Sequence, residues 1–439
     1  MNYTYKQIWL INFPVMMSIL MEQLINITDA VFLGHVGEVE LGASALASVY
    51  YLAIYMLGFG FSLGLQVMVA RRNGEQRYKE TGRTFYQGLL FLSCLAVVLS
   101  LASYVLSPLI LKYFIHSPEI YEAVVDYLEW RCFGLVFSFP FLAFRSFFVG
   151  ITKTRVLSWA AMMAVLINIP CNYLFIFCFN LGISGAAMAS SLAEAGSLLI
   201  LICYTFQKKV DKEYFGLKAV YDGKLLAALL RLSVWSMMHA FISVAPWFLF
   251  FVAIERLGET QLAVSNVIRS VSTVFFVIVN SFAATSGSLV SNLIGAGEGR
   301  NLFRLCNKVL RLGYAIGVPL IIIALLFNHR IVGFYTDNAL LIEFAHYPFI
   351  VMLLNYAFAL PGYVYVNAVT GTGDTRMAFA FQVSTIAIYL GYLYLLSHSS
   401  TTSLSVYLTA EYLFVILLGV QSYIYLKGKQ HTSSGFQKQ

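Results

Sequence analysis

The sequence predicts an all-α polytopic membrane protein, with twelve transmembrane helices in two six-helix bundles related by a pseudo-two-fold axis. Three observations carry this. Of 439 residues, 59% are hydrophobic and 11% charged, with mean hydropathy +0.77, whereas soluble domains have roughly 45–50% apolar and about 25% charged residues. Twelve apolar stretches are long enough to cross a hydrocarbon core of about 30 Å. The second half of the chain repeats the first in one ungapped register.

The stretches fall at 8–33, 44–70, 84–106, 124–150, 157–178, 184–206, 226–254, 264–293, 307–328, 345–370, 377–396 and 404–427. The first follows a single Lys6 and contains Glu22 and Asp29 without a small-residue cleavage site, so it reads as a retained helix rather than a signal peptide. Alternate connections then sort by charge. The N-terminus, the loops near 71–83, 151–156, 207–224, 294–311 and 371–376, and the tail with Lys427 at its edge together hold 21 Lys and Arg, whereas the opposite set holds only Lys112, Arg256 and Arg330. The positive-inside rule places both termini in the cytoplasm. The formal charge of +7 is thereby topological and calls for no nucleic-acid partner. The longest polar loop, 207–224, divides an N-terminal lobe (1–206) from a C-terminal lobe (225–427), followed by a cytoplasmic tail (428–439).

At a constant offset of 221 residues, Gly37, Glu38, Leu41, Ser44 and Gly74 pair with Gly258, Glu259, Leu262, Ser265 and Gly295. Pro140, Gly150, Thr154 and Arg155 pair with Pro361, Gly371, Thr375 and Arg376. Six spans separate the mates, so the repeats have the same orientation, about an axis along the membrane normal. Two such bundles around a central cavity suit alternating access, and one chain supplies both, so a monomer suffices.

Cys94, Cys132, Cys171, Cys178, Cys203 and Cys306 sit in or beside apolar runs without metal-ligand spacing and read as buried small hydrophobes. No GxxxxGK[ST] occurs, no soluble catalytic domain fits outside the spans, and no cofactor is implied.

Function therefore has to be sought in the polar groups inside the spans. A carboxylate at the bilayer centre costs roughly 2.5–3.5 kcal/mol or more unless paired or hydrated, so Glu22, Asp29, Glu194 and Glu411 are candidates. Glu22, Asn26 and Asp29 form one stripe on helix 1; Asn168 and Asn172 on helix 5, and Ser190 and Glu194 on helix 6, are i, i+4 pairs. At 1.5 Å per residue, Asp29, Asn172 and Ser190 lie roughly 6–9 Å below the outer boundary, and Glu22, Asn168 and Glu194 roughly 15 Å. A carboxylate among amides and a hydroxyl can carry a proton or help replace the hydration shell of Na⁺. The sequence leaves that choice open, beside an interhelical cluster that only fixes packing. The mates of Asp29, Asn168 and Asn172 are Phe250, Tyr389 and Leu393, so the site is expected in one half only. Glu411, the mate of Ser190, is expected to pair with Arg269, and Arg131 with Asp126 or Glu129.

Pro14, the run Asp29-Ala-Val-Phe-Leu-Gly34, the Gly150–Arg155 turn and its mate Gly371–Arg376, in this order across twelve spans, resemble the multidrug and toxic compound extrusion (MATE) family. The resemblance covers nearly the whole chain. It implies a multi-pass cell-membrane antiporter exporting organic, often cationic, compounds or drugs in exchange for Na⁺ or H⁺. It makes Asp29 the match of the family's helix-1 acidic residue, and Asn168, Asn172 and Ser190 matches of positions lining its N-lobe cation site. Two departures stand out. Asn172 falls where members commonly carry Asp, a charge Glu194 is expected to restore; Ser243 and Ala359 occupy the C-lobe positions that are acidic in the NorM-like branch. The first counts against a Na⁺ site of the usual kind; the second favours coupling through the N-lobe alone. Pro14 lacks an N–H and is the candidate hinge of helix 1. The alternatives are a lipid-linked saccharide flippase, for which intramembrane Arg are few, and an intramembrane enzyme using His239 or a carboxylate, for which no nucleophile–base spacing occurs.

Overall fold

The computed structural model describes residues 3–115, 117–207, 210–214, 221–255, 257–333, 339–398 and 403–431. Arg256, parts of the 207–224 loop and most of the 428–439 tail lie outside them. Among the described residues the secondary structure is entirely helical. In chain order the helices are α1 (Tyr5–Gly34), α2 (Glu38–Gly74), α3 (Tyr78–Phe114), α4 (Pro118–Phe133), α5 (Leu135–Gly150), α6 (Arg155–Tyr173), α7 (Gly182–Gln207), α8 (Val210–Tyr214) and α9 (Gly223–Ile242). There follow α10 (Ala245–Glu255), α11 (Glu259–Gly295), α12 (Leu302–Leu326), α13 (Asn328–Gly333), α14 (Ala339–Leu354), α15 (Tyr356–Gly371), α16 (Thr375–His398) and α17 (Leu404–His431). Eleven segments are long and apolar enough to cross a membrane, and α4 with α5, bent by 44° between them, makes a twelfth. The span expected at 226–254 is broken between α9 and α10.

The internal repeat is written into the backbone. Helices α2 and α11 are both 37 residues long, α5 and α15 both 16, and each pair starts and ends at the 221-residue offset. The turn after α2 puts Gln76 at φ 61°, and its mate Gly297 has φ 75°; Thr152 after α5 has φ 60°, and its mate Gly373 has φ 93°. A left-handed residue is disfavoured outside glycine, so its recurrence at mated positions is specific. Gly150 and Gly371 repeat a close helix approach. A Cβ on Gly150 would lie 3.2 Å from the Gln66 carbonyl, and one on Gly371 2.4 Å from the carbonyl of Gly287, the mate of Gln66. Small residues at such crossings let helices pack closely inside a membrane.

The chain forms two compact units, Phe13–Phe241 and Met1–Asn12 with Ile242–Gln439. The first two turns of α1 thus belong with the C-terminal helices, where Thr285 donates to Asn12 Oδ1 at 2.9 Å and Lys308 to the Tyr3 carbonyl at 2.8 Å. Helix α9 belongs with the N-terminal unit, where Gly64 and Gly60 of α2 lie against Ser233 and Met237. The boundary crosses α1 between Asn12 and Phe13, beside Pro14, which sits inside a continuous helix. Cys132 and Cys306 are buried as expected, but Cys94, Cys178 and Cys203 are exposed on apolar helices; an apolar environment for a thiol is supplied as well by an outer face meeting lipid as by a core.

Candidate functional site

Asp29 lies one turn and a half before the end of α1, and its partners come from α6 and α7. Those two helices run antiparallel through a π-helical turn, Leu174–Cys178, and a tight reversal with Asn180 at φ 53° and Gly182 at φ 52°. Such turns interrupt regular helical bonding and recur at functional sites. Pro170, between Asn168 and Asn172, loosens the same stretch by removing a backbone donor.

The side chains converge on one carboxylate. Asp29 Oδ1 accepts from Asn172 Nδ2 at 2.6 Å and Asn168 Nδ2 at 3.0 Å, and Oδ2 accepts from Ser190 Oγ at 2.5 Å. Asn168 Nδ2 also lies 3.2 Å from Ser190 Oγ, and Asn172 Nδ2 donates to Asn168 Oδ1 at 3.1 Å. Asn168 and Asn172 are fully buried, Ser190 nearly so, and Asp29 is the only buried carboxylate among the described residues. One acceptor is left over: Asn172 Oδ1 is buried without a hydrogen-bond partner. A buried polar atom left unmet costs about 1–3 kcal/mol, and an acceptor of this kind is able to take a proton donor or a cation.

The other predicted members lie elsewhere. Glu194, expected to supply a second carboxylate here, is instead ion-paired to Arg131 at 2.8 Å, and Ser138 donates to its other oxygen. This also corrects the expected pairing of Arg131 with Asp126 or Glu129. Arg131 stacks over the Tyr51 ring at 4.0 Å, and Tyr51 lies 3.2 Å from Ser138 Oγ, closing a loop of contacts around Glu194. Glu22 is paired with Arg145 at 3.5 Å, and Asn26 is exposed, outside the cluster. Helical spacing put Glu22 and Glu194 on the right faces, but Glu194 lies one turn from Ser190 and Glu22 two turns from Asp29 along the axis, roughly 6 and 10 Å, and there Arg131 and Arg145 meet them instead. Tyr51 and Ser138 were missed; the available signal was the equal number of intramembrane Arg and Glu in this half, which favours mutual neutralisation over four separate sites.

The N-terminal unit thus neutralises two of its carboxylates with arginines and surrounds the third with neutral dipoles. Arg131 acts on Asp29 only at a distance. The cluster offers oxygens from one carboxylate, one hydroxyl and two amides, which suits a proton or a monovalent cation. No group of three His, Cys, Asp or Glu side chains that would hold a metal ion occurs among the described residues. In the C-terminal unit, Glu411 and Arg269 line the same cavity without the expected ion pair, and Glu411 accepts from Tyr389 at 3.0 Å instead.

A family profile, MatE, matches residues 14–174 and 236–395, two stretches nearly in the register of the internal repeat. Among similar chains, a probable multidrug resistance protein NorM of Idiomarina loihiensis is 22% identical over 66% of this chain and 63% of its own. A probable multidrug resistance protein NorM of Photorhabdus laumondii is 25% identical over 85% of this chain and 83% of its own. The fold matches, with a TM-score of 0.91, an outward-facing multidrug resistance MATE family transporter of the MOP superfamily, over 97% of this chain and 96% of that one at 16% identity.

Proposed function

The chain belongs to the MatE family, and from that premise and the Asp29 cluster we propose that it is a secondary active efflux transporter, exporting small organic compounds, cations foremost, in exchange for H⁺ or Na⁺ by alternating access. The names of its relatives, multidrug resistance proteins, support drug-like organic substrates. The observation that carries the coupling assignment is that Asp29 is buried and met only by neutral donors from two other helices. A carboxylate fixed by an arginine has little freedom to change charge; one held by amides and a hydroxyl can exchange an ion and keep its partners.

Ionised Asp29 uses all three donors. On taking a proton, one of its oxygens becomes a donor and needs an acceptor, and Asn172 Oδ1 is the one at hand. With Na⁺, the carboxylate, Ser190 Oγ and the amide oxygens become ligands. Either ion rearranges bonds that tie α1 to α6 and α7, and it drives transport only through its differential affinity for the inward and outward states. Pro14, where α1 passes from one compact unit to the other, is the proposed point of bending. The protein is a multi-pass membrane protein; both termini are proposed to be cytoplasmic, and one chain is proposed to suffice, without resident cofactor or catalytic chemistry. The lipid-linked flippase reading, which would call on Arg131, Arg145 and Arg269, is the weaker one, since the first two are ion-paired with Glu194 and Glu22. The test is gradient-driven export by the reconstituted protein with and without Asp29→Asn.

A further inference from the structure

The C-terminal unit holds a polar locus at the position that mates with the Asp29 cluster, built from different residues. By the 221-residue register, Asp29, Asn168 and Ser190 correspond to Phe250, Tyr389 and Glu411; Arg131 and Ser48 correspond to Met352 and Arg269. Every charge has thus changed helix. The carboxyl leaves the mate of α1 and reappears on α17, the mate of α7; the arginine leaves α14, the mate of α4, and reappears on α11, the mate of α2.

The structure brings these substitutes together. Tyr389, fully buried on α16, donates to Glu411 Oε1 at 3.0 Å. Phe250, Ser265, Arg269, Met352 and Glu411 line one cavity of about 40 Å³. A single water needs roughly 10–15 Å³, so there is room for water beside the Glu411 carboxyl. Glu411 is half-buried, and Tyr389 is its one protein hydrogen-bond donor among the described residues. An ionised carboxylate has about four acceptor sites, so the rest of its demand falls on the cavity.

We propose that Glu411 is a second proton-carrying site, independent of Asp29, which exchanges its proton with water in the cavity it shares with Arg269. The step is an acid–base transfer: a new O–H bond forms on the carboxylate oxygen not held by Tyr389, a hydronium ion gives up that proton and becomes water, and nothing is oxidised or reduced. A proton fits better than a metal cation. Oxygen ligands on the walls are few, essentially Glu411 and Ser265, with Tyr389 behind, and Arg269 places a positive charge on the same walls. Among the described side chains, the titratable or charged groups facing Glu411 are Tyr389 from α16, Tyr363 from α15 and Arg269 from α11; α10 and α14 contribute Phe250 and Met352.

The test is infrared pH-difference spectroscopy of the full-length protein in lipid nanodiscs, reading the C=O band of protonated carboxyls. Wild type is compared with Glu411→Gln, Asp29→Asn and Tyr389→Phe, each with and without sodium chloride. Glu411→Gln should delete one component of the band, Asp29→Asn should leave that component in place, and Tyr389→Phe should move it to higher frequency, because a donor to the carboxyl is lost. Identical spectra for wild type and Glu411→Gln overturn the proposal, as does a Glu411 component displaced by sodium. If Glu411→Gln does not fold, Tyr389→Phe decides: a displaced component upholds the assignment and an unchanged band overturns it. Loss or survival of gradient-driven export in Asp29→Asn is read separately, so failure of the Asp29 account leaves this result standing.

Discussion

Asn172 donates from Nδ2 to Asp29 across 2.6 Å while the oxygen of the same amide is buried with no partner. The amide is therefore poised between two uses. As placed, it serves an ionised carboxylate; turned by 180°, it presents an oxygen to a protonated carboxyl or a bound cation. Replacing it with a carboxylate removes this choice. Two carboxylates at hydrogen-bonding distance cannot both ionise without a shared proton or cation, so Asn172→Asp is expected to make export more sodium-dependent. Export rate against sodium concentration should show at least about a tenfold fall in the concentration for half-maximal rate, which corresponds to about 1.4 kcal/mol of added affinity.

Asn168 is the link that holds the cluster together, donating to Asp29 while accepting from Asn172. Asn168→Leu keeps the branched shape but strips one donor from the carboxylate and one acceptor from Asn172. The expected cost is about 1–3 kcal/mol of stability, read as a lower thermal unfolding midpoint, together with loss of coupled export. Unchanged unfolding would show that the bonds are not made in the membrane.

Arg131 and Glu194 are a structural pair, with side chains 13% and 25% exposed. Arg131→Ala leaves Glu194 inside the bundle without its counter-charge and should destabilise the protein by about 3 kcal/mol, the lower end of the range for broken buried pairs because Glu194 keeps some access to water. Combining it with Glu194→Gln should recover most of that loss. A double variant as unstable as the sum of both singles would contradict the pairing.

The repeat makes a steric prediction. At Gly371 an added Cβ meets backbone, the Gly287 carbonyl, whereas at Gly150 the nearest atom is the Val69 side chain, which can turn. Gly371→Ala should therefore cost more stability than Gly150→Ala, within the about 1–3 kcal/mol typical of overpacking. Equal midpoints would mean that the α11–α15 approach is looser than that of α2–α5.

Much of this was legible in the sequence, for identifiable reasons. Bilayer thickness fixes span length and the charge bias fixes loops, so all twelve spans follow from apolar runs. The ungapped register survives in helix ends and in left-handed turn residues such as Gln76 and Gly297. Asp29, Asn168, Asn172 and Ser190 were found because helical spacing and depth are both arithmetic. What spacing does not supply is the neighbour that meets each side chain at its own depth. Glu194 is one turn from Ser190, yet it faces Arg131; Glu22 is two turns from Asp29, yet it faces Arg145. The expected pairing of Glu411 with Arg269 failed for a similar reason: the two share a depth and a cavity, but it is Tyr389 that reaches the carboxyl.

The central claim, that ion exchange at Asp29 drives export, is tested most directly by reconstituting the protein in vesicles. Efflux of a fluorescent organic cation is followed under an imposed pH gradient and, separately, a sodium gradient, for wild type and Asp29→Asn. The account predicts that at least one gradient drives export by the wild type and that Asp29→Asn, recovered as folded protein, abolishes it. Gradient-driven export at wild-type rate by Asp29→Asn, or no response of the wild type to either gradient, would contradict it.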